Sequence, residues 1–300
     1  MELNGVINVY KEKGFTSHDA IAVLRGVLKV KKIGHTGTLD PDATGVLPVC
    51  VGKATKVAQL IMGSDKEYVA ELAFGSETDT QDASGQVLKT FEYTYDPAQV
   101  AEAVASFQGD YDQVPPMYSA LKVGGMKLYE LAREGVEVER QARRIRIEEI
   151  ELLEQSAKGA KIRVRCSKGT YIRTLCEDIG KRLGYGAHMT SLERTKTGPY
   201  QVENSYRIDE IREMMRAGEP EKFLQDLSSL FEDLPCKQVI PEEDAMLRNG
   251  NYLTYPASEI GNTLGQEVRM YTSDGEFVGL YKVTELLGDM TRMRSYKMFV

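Results

Sequence analysis

Apolar positions along the chain follow two periods, and the switches between them divide it into elements. Residues 5–9 predict a short strand. Thr16 and Ser17 then offer N-caps to a helix in which Ile21, Val23, Leu24, Val27 and Leu28 recur at helical spacing. The Gly- and Thr-rich stretch from Gly34 to Pro48 predicts a loop, and residues 68–74 a strand. Ser76 to Gly85 is polar and turn-forming, and residues 97–108 predict a helix that stops at Gly109. Residues 145–154 and 160–166 alternate about a turn at Lys158-Gly159 and predict a hairpin, with Arg163 and Arg165 on one face of its second strand. A helix is expected from about Tyr171 to Leu183, ended by Gly184. Residues 203–234 are helical and acidic in pattern and suit a connection. From about residue 238, short strands between Gly and Asn-Gly turns predict a small β domain.

Composition narrows the class. A chain of 300 residues is long for one ordinary domain, so one large and one small domain are expected. A hydrophobic content of 42% with 28% charged residues describes a soluble chain with a sizeable core. No signal peptide or membrane span is visible, and the expected location is the cytoplasm. Cys50, Cys166, Cys176 and Cys236 are scattered without a C-x-x-C pair, which argues against a disulfide framework or zinc site. His18, His35 and His188 form no i,i+4 pair.

The net charge of −7 argues at first against a nucleic-acid partner, but its distribution removes the objection. Residues 202–236 carry 4 basic against 9 acidic side chains and residues 237–300 carry 7 against 9, whereas residues 140–196 carry 14 against 7. A local basic surface matters more for phosphate binding than whole-chain charge. Arg143, Arg144 and Arg146 lie where this excess begins and are the RNA-binding candidates.

The densest chemical signal is Gly34-His35-Thr36-Gly37-Thr38-Leu39-Asp40-Pro41-Asp42-Ala43-Thr44-Gly45-Val46-Leu47-Pro48. Small residues let another backbone approach. Pro41 biases Asp40 to an extended conformation, so its carboxylate can reach a ligand. A bare Asp-Pro is ordinarily a turn; the whole string is more specific. Lys66-Glu67-Tyr68 and Ser167-Lys168-Gly169-Thr170-Tyr171-Ile172-Arg173-Thr174 are further candidates, the second opening a helix with Thr170 as a possible N-cap. An Arg there can pair with Asp40 and hold it ionised. Gly45 to Lys53-Ala54-Thr55 is not a phosphate loop, because six residues separate its glycines and Ala follows the Lys. No H-x-E with paired cysteines supports a zinc deaminase.

Taken together, these strings resemble the TruB family of tRNA pseudouridine(55) synthases over residues 3–200. Gly186-Ala187-His188, Leu192-Glu193-Arg194 and the Pro115–Lys122 string add to the likeness. The resemblance implies an α+β fold: a mixed-sheet pseudouridine synthase catalytic domain with a small C-terminal β-barrel-like (PUA-type) domain. The expected division is 1–202 catalytic, with a tRNA-contacting insertion at about 110–150, then a helical connection 203–237 and an RNA-binding domain 238–300. The implied activity isomerises a flipped-out uridine in the tRNA T-loop, without metal or organic cofactor and without an obligatory protein partner.

The resemblance implies that Asp40 is the catalytic carboxylate, that Arg173 lies beside it and that Tyr68 stacks on the uracil. Tyr171 lines the pocket, Leu192 covers the base and His35 fills the space that the base leaves. Lys11 is a further substrate-binding candidate, although Lys11-Glu12-Lys13-Gly14 lacks the Pro usual in the family's Lys-Pro-x-Gly. Two other functions fit less well: an RNA-binding or tRNA-folding protein without catalysis, and a guide-dependent synthase acting on ribosomal RNA.

Overall fold

A computed structural model describes residues 3–119, 121–136 and 138–300, with Lys122 and Val123 described as backbone only. The main elements are β1 (Gly5–Lys11), α1 (Ser17–Leu28), β2 (Thr44–Val51), β3 (Lys66–Phe74), α2 (Pro97–Ala105), β4 (Gly109–Gln113), β5 (Arg143–Ser156), β6 (Gly159–Cys166), α3 (Ile172–Leu183), β7 (Ala187–Thr197), α4 (Ile208–Ala217) and β8 (Leu224–Gln225). They are followed by β9 (Cys236–Gln238), β10 (Leu253–Pro256), β11 (Glu267–Tyr271), β12 (Phe277–Leu287) and β13 (Met290–Met298).

The first eight strands form one mixed sheet in the order β8-β1-β2-β7-β3-β6-β5-β4, extended by Ile33–His35 on β2 and Tyr200–Gln201 on β7. Its neighbours are antiparallel except β2 and β7, which run parallel over two residue pairs, Glu193 with Thr44 and Arg194 with Gly45. The strands β1 and β2 are apolar almost throughout because both sheet faces are covered there. Ile7, Val9, Leu47 and Val49 pack on Ala20, Ile21 and Leu24 of α1 and Ile208 and Ile211 of α4. Val6, Val46 and Cys50 join Ala54, Val57, Leu280 and Phe299 on the other face. The outer strands β5 and β6 alternate because only one of their faces is buried, against α2 and α3.

Local rules account for the ends. Thr16 caps α1 in a reciprocal box with Asp19. Asp96 accepts from Ala98 N at 2.9 Å, with Pro97 opening α2. Gly184 ends α3 with φ +74°.

The structure departs from the periodicity reading in several places. Residues 44–48, expected in a loop, belong to β2; their Gly and Pro masked an apolar run that pairs with β1. The helix expected at 97–108 ends at Ala105. Tyr171, not Thr170, is the N-cap of α3. Residues 203–234 contain one α-helix, several 3-10 turns and β8, which extends the main sheet beside β1. Within 110–150, residues 110–113 and 143–150 are sheet strand, so the excursion from the sheet is the segment between β4 and β5. It contains a two-stranded hairpin, Lys122–Val123 with Met126–Lys127, and the short helix Leu128–Arg133.

The C-terminal strands form a five-stranded sheet, β9-β11-β12-β13-β10. Asp274-Gly275 closes its β11–β12 turn. Asn249-Gly250, read as a strand turn, instead ends the short helix Asp244–Arg248. This sheet shares the core of Val6, Cys50, Leu280 and Phe299 with the main sheet. Lys53 also meets Glu276 at 3.2 Å, and Lys56 Nζ donates to Val300 O at 2.9 Å. Among the described residues no helix is long and apolar enough to cross a membrane.

Candidate active site

The loop between Ile33–His35 and β2 carries Asp40 and is pinned from several directions. Ser17, buried at the start of α1, accepts a hydrogen bond from Leu39 N at 2.9 Å. The Lys11 ammonium donates to Glu12 O, Phe15 O and Pro41 O at 3.1, 2.6 and 3.1 Å. Lys11 is fully buried, and burial lowers its pKa to about 8 against the opposing pull of Asp40. Its donors are taken up by backbone, so it is a strut under the loop and not a free substrate contact.

Arg173, near the start of α3, stands beside Asp40 with Nε 3.0 Å from Oδ2. Its other nitrogens donate to Thr80 O at 3.1 Å and Tyr118 O at 2.8 Å, and Nη1 lies 3.5 Å from Asp82 Oδ2. The guanidinium is therefore held in one plane by partners from three segments. Burial raises the Asp40 pKa, Arg173 pulls it down and Asp82 pushes it up again. A carboxylate with two opposed influences on it is the kind of group that does chemistry.

Tyr68 opens β3 opposite Arg194 of β7, and Leu192 lies two residues along on the same face. Tyr68 and Leu192 both pack on the core beside α3. Burial raises the Tyr68 phenol, while Arg194 holds it down. Tyr171 is fixed by Gln113, whose Oε1 accepts from Tyr171 N at 2.8 Å and whose Nε2 donates to Tyr171 O at 3.0 Å. His35 packs edge-on to His18 with ring centroids 5.4 Å apart. Its Nδ1 accepts from Gly37 N at 3.3 Å. Burial lowers its pKa, and His18 and Arg194 lower it further, so the ring is neutral at physiological pH.

The structure thus gathers Arg173, Tyr68, Tyr171 and Lys11 around Asp40 at the N-terminal end of α3, the space between them forming the candidate cleft, with Leu192 on the strand face that carries Arg194. It separates the three arginines read as one patch. Arg144 pairs with Asp112 at 3.0 Å and Asp110 at 3.5 Å, and Arg146 with Glu148 at 2.9 Å. The neighbouring strand repeats the pattern: Arg163 meets Glu151 and Arg165 meets Glu149. Much of the local basic excess is paired along and across the strands, on the sheet face away from α2 and α3. Arg143 points to the other face, beside Gln113, where it lowers the proton affinity of Tyr171.

Asp82 and Gln113 were not singled out by sequence, and Arg194 entered only as part of the Leu192-Glu193-Arg194 string, with no role of its own. Asp82 lay in a stretch read only as polar turn, and the buried Gln113 ends a strand with no motif. Among the described residues no group of His, Cys, Asp and Glu has the arrangement to hold a metal.

Residues 25–172 match the model of the TruB family pseudouridylate synthase N-terminal domain, and residues 173–232 that of the tRNA pseudouridylate synthase B C-terminal domain. The chain belongs to the TruB family. Curated TruB relatives named tRNA pseudouridine synthase B include those of Alkaliphilus oremlandii, 45% identical over 92% of this chain and 92% of that protein, and Halalkalibacterium halodurans, 40% identical over 96% and 99%. Among solved structures, a Cbf5–Nop10–Gar1 complex contains a chain that is 29% identical, with a TM-score of 0.71 over 99% of this chain and 85% of that one. These likenesses agree with the mixed-sheet α+β architecture.

Proposed function

We propose that this chain is a tRNA pseudouridine synthase that isomerises a uridine of the T-loop, with Asp40 as its catalytic carboxylate. The observation that carries the assignment is the Asp40–Arg173 pair at 3.0 Å, set on a pinned loop beside Tyr68. A base inside a folded tRNA elbow is out of reach, so it must leave its stack to enter the cleft. Tyr68 then stacks on the uracil, Leu192 covers it, Tyr171 lines the pocket wall and His35 fills the vacated space. Asp40 acts at the ribose, as nucleophile or as base, while the bond from C1′ to N1 breaks. The base turns and rejoins through C5. N1 gains a proton and C5 loses one, so no electrons are exchanged and no cofactor is called for. Arg173 keeps Asp40 ionised against the desolvation of the cleft. The site works in the cytoplasm, and Arg143 and the excursion between β4 and β5 contact the tRNA.

Asp40→Asn tests the assignment because it keeps the shape and removes the carboxylate. The expected result is loss of pseudouridine formation on a tRNA transcript, read by tritium release from C5, with tRNA binding intact. Activity within about tenfold of wild type, or ~1.4 kcal/mol of barrier, would refute it. The likeness to Cbf5, which in the solved complexes sits with protein partners and RNA, favours guide-dependent action as the second reading. Activity of the chain alone on a bare transcript decides between the two, and a binding protein without catalysis would show none.

A further inference from the structure

Arg194 is the largest side chain buried to near completion, with 2% of its surface exposed. Among the described residues it forms no ion pair. Its Nε donates to Val46 O at 2.7 Å and its Nη2 to Gly37 O at 3.1 Å. Gly37 lies in the loop that carries Asp40, and Val46 in the strand β2 into which that loop runs, so the two flank the carboxylate along the chain. At the backbone, residue 194 pairs with Gly45 on one side and with Tyr68 on the other. One residue therefore stands between the loop of the carboxylate and the strand of the phenol.

Its surroundings argue against a purely space-filling role. The guanidinium lowers the proton affinity of Lys11 and Lys66, so these two ammonium groups repel it. A buried cation without a carboxylate is costly, and an apolar side chain of similar volume would fill the space at lower cost. What the guanidinium does here is to hold two carbonyls at fixed angles while lying within hydrogen-bonding reach of the Tyr68 hydroxyl.

Resting on the proposed synthase activity, we infer that Arg194 is a positioning residue of the reaction. It fastens the chain on both sides of Asp40 to β7 and orients the Tyr68 hydroxyl, so that carboxylate and phenol keep one separation across the space a flipped base enters. Arg194 touches no reacting atom; it acts through Asp40 and Tyr68.

The test uses the full chain with Arg194→Gln and Arg194→Lys, each also combined with Tyr68→Phe. Four quantities are read: the single-turnover rate on a tRNA transcript at saturating enzyme, the tRNA Kd, the melting temperature, and the fluorine resonance of RNA-free protein carrying 3-fluorotyrosine at position 68. Arg194→Gln is expected to lower the rate about 100-fold with Kd within about threefold, the signature of misplaced groups rather than lost binding. Arg194→Lys should regain about tenfold of that loss, because it keeps a donor and the charge. The loss should shrink when Tyr68 is Phe, and the fluorine resonance should move in the Gln variant.

A folded Arg194→Gln within about threefold of the wild-type rate overturns the proposal. So does an equal loss with and without the Tyr68 hydroxyl, accompanied by an unmoved resonance. If the Gln variant does not fold, a Lys variant with normal rate and unmoved resonance overturns it instead. A wild-type chain inactive on the transcript refutes the functional reading, and the fluorine shift then still tests the Arg194–Tyr68 contact.

Discussion

Gly45→Ala is the smallest change expected to break the site. Gly45 has φ +102°, which L side chains rarely adopt. A Cβ there would lie 2.3 Å from Arg194 O and 2.8 Å from Arg194 N. Both atoms are backbone, and an ordinary carbon contact is ~3.5 Å, so one strand must retreat by roughly 1 Å. Strain at such a φ costs roughly 1–3 kcal/mol, and overpacking a tight contact about 1–3 more. With an unfolding entropy of ~2 cal/mol/K per residue, a loss of about 2–6 kcal/mol lowers Tm by roughly 3–10 °C in a chain of this length. The retreat also separates β2 from β7 where they hold the Asp40 loop, and a ~1 Å misplacement costs about 100-fold in rate. Thermal melting and single-turnover conversion of a tRNA transcript measure the two effects. Gly34→Ala is the control, since nothing lies within 4 Å of its added Cβ and its φ is ordinary. A Gly45→Ala protein that melts and reacts like the Gly34→Ala protein would refute the reasoning.

Three further outcomes are expected. Because burial raises the Asp40 pKa, the folded state holds that proton more tightly than the unfolded chain, and stability falls as pH rises from the ordinary carboxylate value through the folded one. Asp40→Asn should therefore melt above wild type near neutral pH, with the excess shrinking as the pH drops through the carboxylate range; a lower or pH-independent Tm would contradict this. Phe299→Ala, in the core shared by the two sheets beside Phe231 and Phe277, should cost about 3–5 kcal/mol in denaturant unfolding, and a loss under ~1 kcal/mol would mean the sheets are not packed as described. Arg143→Ala should reduce the salt slope of tRNA binding by about 1, while Arg144→Ala and Arg146→Ala leave it nearly unchanged because both guanidiniums are paired; equal effects at all three positions would restore the single patch.

What the sequence determined by itself is local. The periods of α1, β3, the β5–β6 hairpin and α3 are set by side-chain spacing within each segment, and their caps by single residues such as Thr16, Asp96 and Gly184. The Asp40 string was legible because its small residues, its Pro and its carboxylate are contiguous. The pairing of Arg173 with Asp40 was an expectation that needed only two residues to meet. Apart from that pair, the contacts that close distant segments on the site were hidden. Arg194 reaches Gly37 across 157 positions and Val46 across 148, and Arg173 reaches Thr80 across 93. Such contacts exist only once strand register is set, because a shift of one residue turns every side chain to the opposite face. Register likewise set Arg144 and Arg146 against Asp110 and Asp112 while leaving Arg143 beside Gln113. Alternation along β5 already turns Arg143 to the face opposite Arg144 and Arg146, but which neighbour each meets across the sheet is decided only by the pairing of β5 with β4.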